Sequence, residues 1–313
     1  MSRIHEALKR AEKERMAGSR PEASPRADQN SSEGTLHRER LPGPTGAGLA
    51  VPDQGGMEES PNPLAFEAWL ANCPPTPWTP DPKKVLFPAS HDHPLGGEEF
   101  RTLRSQLLHF RDAQPLRTLL VTSPLPQEGK TFVAANLAHS IVRQRERRVL
   151  LIDADLRWSR LHLSLGAPST PGLSEYLRGS ANEQAILQRG SLENLFFIPG
   201  GATAPNAAEL LANGRLKGLL QRLAANFDWI IVDSPPAIPV SDAGLLAVMC
   251  DGVLMVVAAG RTPFDLAQKV RQQFRDKQLL GVVLNRAERG SSYGSFYRYS
   301  YPDKNPKNGK NRG

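Results

Sequence analysis

Residues 119–131, LLVTSPLPQEGKT, are an apolar run that enters a tight turn ending Gly129-Lys130-Thr131, and a helical pattern, FVAANLAHSIVRQ, begins at once. A strand that must turn into a helix at a Gly-Lys-Thr has few folds open to it. The backbone N–H groups of such a turn point inward at phosphate oxygens and the positive end of the helix adds attraction. The lysine reaches the outer phosphates and the hydroxyl ligates magnesium. The spacing departs from the usual G-x-x-x-x-G-K-[ST], because Pro124 stands at the first glycine position. A bare Gly-Lys-Thr therefore carries little weight by itself.

Two acidic motifs supply the missing context. RRVLLIDADLR (147–157) sets Asp153 and Asp155 beyond a Val-Leu-Leu-Ile run, and FDWIIVDSPP (227–236) sets Asp233 beyond another. Open parallel sheets bind ligands outside the carboxyl ends of their strands, so the three aspartates and the turn are expected to converge. A single aspartate after a buried strand reads as well as a helix cap. Three of them together with the Gly-Lys-Thr turn favour a nucleotide site.

These three motifs, in one unbroken order between Gly96 and Tyr301, resemble the bacterial tyrosine autokinases of polysaccharide synthesis and export, the BY-kinases. That family lies among the deviant-Walker P-loop ATPases, with the partition and septum-positioning ATPases as relatives. The resemblance implies an α/β, three-layer P-loop NTPase fold with a mostly parallel sheet, and ATP with Mg2+ as the working pair. It implies nucleotide contacts at Gln127, Glu128, Gly129, Lys130, Thr131, Phe132 and Asn285. Gln127 stands where a glycine is usual. Asn285, at the end of GVVLN, occupies the place where relatives bond the adenine ring; taken alone, an asparagine there reads as a turn former.

The implied chemistry is phosphoryl transfer to tyrosine. Such transfer needs positioning and charge neutralisation more than covalent chemistry. Lys130 neutralises the outer phosphates, while Thr131, Asp155 and Asp233 hold the metal directly or through water. Asp153 is the candidate base, with a metal-shell role left open, and Arg157 steadies the phosphates or the acceptor. Glu98, Arg101 and Arg104 form an E-x-x-R-x-x-R ridge, three residues apart on the helical pattern LGGEEFRTLRSQLLHFR. From spacing alone that ridge is an intrahelical ion-pair face. The resemblance makes it the subunit interface of a ring.

The remaining sequence divides into four parts. Residues 1–17 carry a short amphipathic helical pattern, either a docking arm or a weakly helical tail. Residues 18–92, rich in Pro, Gly, Ser and charge, read as a disordered linker, with PLAFEAWL (63–70) as a transient turn or a short docking segment. Strands alternating with helices through 93–286 imply a parallel sheet covered on both faces, with PNAAELL (205–211) opening one long helix to about Asn226. Residues 287–313 read as a flexible basic tail containing Tyr293, Tyr297, Tyr299 and Tyr301, four of the chain's five tyrosines and the candidate phosphoacceptors.

The formal charge of +7 lies partly in that tail, and no aromatic interleaving of the basic runs recommends nucleic acid. Two cysteines fit a reducing cytosol, and no run is long enough to span a bilayer. The expected protein is an ATP-dependent autokinase that phosphorylates its tyrosine cluster in trans within a homo-oligomer. It would be cytoplasmic and recruited to the inner face of the plasma membrane by a transmembrane polysaccharide co-polymerase adaptor. The rival reading is a nucleotide-switched dimer of the partition or positioning type. Ser123 and Pro124 in place of that group's extra lysine, and the tyrosine cluster itself, oppose it.

Overall fold

The computed structural model describes residues 63–71, 73, 75–85, 96–144, 147–190, 192–275, 277 and 279–287. The amphipathic pattern at 1–17 and the tail tyrosines lie outside them. Helix α1 (Pro63–Ala71) precedes α2 (Gly97–Ala113), β1 (Thr118–Thr122) and α3 (Lys130–Val142). Next come β2 (Val149–Asp153), α4 (Leu161–Leu165), α5 (Leu173–Arg178), α6 (Glu183–Ile186), β3 (Gln188–Arg189) and β4 (Leu195–Ile198). The order then continues through α7 (Ala207–Ala212), α8 (Arg215–Ala224), β5 (Trp229–Asp233), α9 (Asp242–Ala247), β6 (Gly252–Ala258), α10 (Phe264–Gln273) and β7 (Leu279–Asn285).

One seven-stranded sheet runs in the order β3-β4-β2-β5-β1-β6-β7, parallel throughout except where β3 meets β4. The central strands β1, β2 and β5 are buried at every position, and their middles are wholly apolar, because each face is covered. Leu120, Ile152, Ile230 and Met255 pack with α5, α7, α8 and α9 on one side. Their alternate neighbours Leu119, Leu151, Ile231 and Leu254 pack with α2, α3 and α4 on the other. From β1 the chain crosses to β2 on one side, and after β5 it crosses back to β6 on the other. The carboxyl end of β1 is therefore the point where the winding reverses, and the ligand position for a sheet of this type.

Two features differ from the reading of the sequence. The segment from Pro205 was expected as one helix to about Asn226, but Gly214, at φ 83°, separates α7 from α8. More consequentially, the stretch expected as linker up to Asp92 contains packed structure. Helix α1 sets Phe66 edge-on against Phe227 and buries Leu70. Residues 75–85 then form a strap across the β3 edge: Thr76 N donates to Arg189 O at 2.8 Å, Thr79 N to Gly166 O at 3.2 Å and Asp81 N to Ser164 O at 3.1 Å. Trp78 and Val85 are buried beneath it. Gly190 is what admits the strap, since a Cβ there would stand 2.2 Å from the Trp78 ring. Among the described residues, no helix is long and apolar enough to cross a membrane.

Candidate nucleotide and phosphoryl-transfer site

Strand pairing alone brings the acidic motifs together. Asp153 at the end of β2 sits opposite Asp233 at the end of β5, and Asp233 sits opposite Val121 near the end of β1. The turn after β1 thus opens directly above the carboxylates. Its first part is held by the turn after β5, where Ala237 N donates to Ser123 O at 2.8 Å and Ile238 N to Pro124 O at 3.3 Å. Pro124 serves here through its carbonyl.

The second part of the loop is braced by residues that its motif does not contain. The Glu128 carboxylate is buried and turned back on the chain, with Oε2 accepting from Leu125 N at 2.7 Å. Its Oε1 accepts from the Thr262 hydroxyl, whose oxygen accepts from Ala258 N at 3.0 Å. Asn285 Nδ2 donates to Glu128 O at 2.8 Å. Glu128 and Asn285, expected as nucleotide contacts, therefore tie the loop to the ends of β6 and β7. Gly129 adopts φ 96°, and a Cβ there would stand 2.1 Å from that Asn285 nitrogen, so glycine is required on two counts. Gln127 is exposed and holds φ 64°, a left-handed conformation in which glycine is free of the strain a side chain meets. Phe132, in the first turn of α3, packs on Phe100 at 5.8 Å and joins α2 to the nucleotide helix.

Lys130, the first residue of α3, has its Nζ 3.2 Å from Asp155 Oδ2. Burial pulls its proton affinity down, but the nearby Asp233, Asp155 and Asp153 carboxylates hold it above the usual lysine value. Asp233 is buried; the Thr131 side chain bonds to it, while its Oδ1 has no partner. Burial raises Asp233, with Lys130 opposing the rise and Asp153 adding to it. Asp153 is also raised by burial. Both of its oxygens are taken: Oδ1 accepts from Asp155 N at 3.1 Å, and Oδ2 from the Ser159 hydroxyl at 2.7 Å and Leu161 N at 3.0 Å.

Three carboxylates gathered around one ammonium leave an excess of negative charge, and the unpartnered Asp233 Oδ1 gives that excess a direction. This donor set fits a divalent cation shared with phosphate oxygens. Among the described residues, no three His, Cys, Asp or Glu side chains approach closely enough to ligate one ion together. Magnesium in such sites takes one or two protein oxygens and completes its shell with phosphate and water. Thr131 and Asp233, bonded to each other with one Asp233 oxygen open, and Asp155, paired with Lys130, are the side chains here that could offer oxygens to such an ion.

Other expected site residues are placed differently. Arg157 is engaged away from the carboxylate trio: Nε donates to Asp242 Oδ2 at 2.8 Å and Nη2 to Oδ1 at 3.1 Å, in a bidentate pair with a fully buried carboxylate. On α2, Glu98 and Arg101 pair with each other on the surface. Arg104 turns inward instead, its Nη1 donating to Ser140 O at 2.6 Å on α3. The fifth tyrosine, Tyr176, is buried, its hydroxyl accepting from Arg222 at 2.9 Å and facing Glu183 at 3.4 Å. Thr262, Ser159 and Asp242 escaped sequence reasoning because each lies far along the chain from the motif it serves or belongs to no motif.

Comparison with known proteins agrees with this geometry. A family described as an AAA domain matches residues 128–267. The tyrosine-protein kinase YwqD of Bacillus subtilis strain 168 is 34% identical over 207 residues, which is 64% of this chain and 86% of that protein. The putative tyrosine-protein kinase EpsB of Ralstonia nicotianae is 34% identical over 210 residues, 65% of this chain but 28% of EpsB. The chain therefore spans most of YwqD and a little over a quarter of EpsB. The kinase domain of the Escherichia coli tyrosine kinase ETK superposes with a TM-score of 0.58 at 30% identity, over 66% of this chain and 85% of that one.

Proposed function

Since this chain belongs to the bacterial tyrosine-protein kinases and is an ATP-using protein-tyrosine kinase, we propose that it phosphorylates its own tail tyrosines, Tyr293, Tyr297, Tyr299 and Tyr301, between copies. The observation that carries this reading is the Lys130 ammonium enclosed by Asp155, Asp153 and Asp233 at the winding reversal, with one Asp233 oxygen left open. The phenol oxygen of a tail tyrosine attacks the γ-phosphorus of ATP. The bond to the β,γ-bridging oxygen breaks, and ADP leaves with that oxygen. The phenol proton passes to Asp153, whose raised proton affinity brings it towards the working pH. Because both Asp153 oxygens are engaged, the Ser159 hydroxyl must turn away for this step. Lys130 offsets charge on the transferring group. Mg2+, held by Thr131 and Asp233, would supply further neutralisation of the phosphate oxygens.

The exposed pair Glu98 and Arg101 is the part of the α2 ridge that is available to a neighbouring copy in a ring. Recruitment to the inner face of the plasma membrane by the cytoplasmic segment of a transmembrane co-polymerase adaptor, and regulation of polysaccharide polymerisation and export by tail phosphate, complete the proposal.

One mixing experiment tests the core of it. A Lys130→Met chain with an intact tail is incubated with ATP, Mg2+ and a chain whose four tail tyrosines are Phe. Phosphotyrosine on the Lys130→Met tail, located by mass spectrometry, is the expected result. Labelling of the wild-type chain without any labelling in the mixture would overturn transfer between copies. Labelling at Tyr176 alone would overturn the tail as acceptor.

A further inference from the structure

We propose that Trp158, with Arg160 stacked on it, is the platform on which the acceptor tyrosine segment of the tail, residues 293–301, is positioned for transfer. The inference rests on the kinase reading above and deepens it by naming the surface that selects the acceptor. Trp158 is 70% exposed, an unusual state for the largest apolar side chain. No packing need accounts for it, since the core beneath is closed by Leu156 and Leu161, which are fully buried.

The loop that carries Trp158 is fastened to the reacting carboxylates. Trp158 N donates to Asp155 Oδ1 at 3.1 Å and to Asp155 O at 3.2 Å. The next residue, Ser159, holds Asp153. Arg157 on the other side is locked to Asp242. The indole is thus mounted on rigid backbone within one side chain's length of the site, and the Arg160 guanidinium lies over its ring at 5.1 Å. An aromatic ring on a fixed mount binds another ring with little ordering cost, because the mount loses no freedom when the contact forms. A tyrosine approaching the carboxylates from solvent is the aromatic group that this reaction requires. Arg160 adds a cation beside the position where that tyrosine acquires its phosphate.

Chain length permits this occupant. The described chain ends at Ala287, two residues past β7, and β2 lies four strand positions from β7, about 19 Å across the sheet. The six residues from Ala287 to Tyr293 span about 20 Å when extended, and the fourteen to Tyr301 about 46 Å. Within one copy that leaves Tyr297, Tyr299 and Tyr301 with length to spare for reaching the indole beyond β2.

The test uses the full chain and a synthetic peptide of residues 289–303 as acceptor. Trp158→Ala is expected to raise the KM for the peptide about tenfold, equivalent to about 1.4 kcal/mol, with the ATP dissociation constant unchanged within twofold. Trp158→Phe, which keeps a ring, is expected to restore the peptide KM to within threefold of wild type. An unchanged peptide KM in Trp158→Ala overturns the proposal. So does a parallel loss of ATP affinity in both variants, which would make Trp158 a support for Asp155 alone. If the wild-type chain forms no phosphotyrosine, the kinase-tail reading fails separately. Calorimetric affinity for the same peptide in the presence of MgADP then still decides the platform, and equal affinities in wild type and Trp158→Ala overturn it.

Discussion

Lys130 sits only 15% exposed between carboxylates, so its charge serves the resting site as well as the transition state. Lys130→Met is expected to abolish phosphotyrosine formation and also to lower stability by about 3 kcal/mol in metal-free buffer, since it leaves buried carboxylates unpaired. Mg2+ should return much of that loss, and urea midpoints with and without the ion measure it. Asp153→Asn separates proton acceptance from metal holding: labelling lost with ATP binding intact supports the base, whereas loss of both assigns Asp153 to the metal shell. His139 provides a pH test away from the site. Burial, with Arg143 adding repulsion, pushes it down to about 3, whereas in the unfolded chain it titrates near 6.5. Between those values the unfolded chain binds more protons, so the stability that neutral His139 contributes is fully present above pH 6.5 and is lost on acidification, by up to about 1.4 kcal/mol per pH unit. The wild type should therefore lose stability relative to His139→Gln as pH falls from 7 to 4; parallel curves would refute the assignment.

At the level of elements, the phosphate loop owes its shape to partners from outside its own motif. Thr262→Val removes the hydroxyl that joins Glu128 to the end of β6, and should weaken ATP binding several-fold while leaving the melting temperature within a few degrees. Unchanged nucleotide affinity would show that the brace is incidental. The strap can be probed through Gly190→Ala, which drives a methyl into the Trp78 ring and should cost about 1–3 kcal/mol by overpacking. These two elements also show where sequence reasoning ends. Strands β1, β2 and β5 were legible because both faces are covered and their central runs are apolar, and the Asp at the carboxyl end of β2 and of β5 followed. The strap was not legible: it buries only Trp78 and Val85, without periodicity, inside a Pro-rich stretch whose composition suggests a linker. The Glu128 and Thr262 contact joins positions 134 apart, and no local pattern reports such a tie. Gly214 was visible in the sequence, but the Leu-rich periodicity on both sides of it carried the eye past the break.

For the whole molecule, the division of the α2 ridge gives assembly and folding separate handles. Glu98→Ala with Arg101→Ala should leave a folded domain that sizes as a smaller species and labels slowly, because a tail reaching a neighbour's site needs that neighbour held close. Arg104→Ala should instead loosen α2 from α3 and lower the melting temperature. An unchanged assembly in the double variant would remove the ridge from the interface. The strap has a mechanical meaning at this scale. Between α1 and the body of the sheet the chain is fastened by Thr76, Thr79 and Asp81, and then by Lys84 O, which accepts from Asn136 Nδ2 at 3.2 Å. Asn136 belongs to α3, the helix whose first residue is Lys130. A pull on the chain ahead of residue 75 is therefore borne by a short series of hydrogen bonds whose last anchor is the nucleotide helix itself, so that tension in the leader and occupancy of the phosphate site load the same rod from opposite ends.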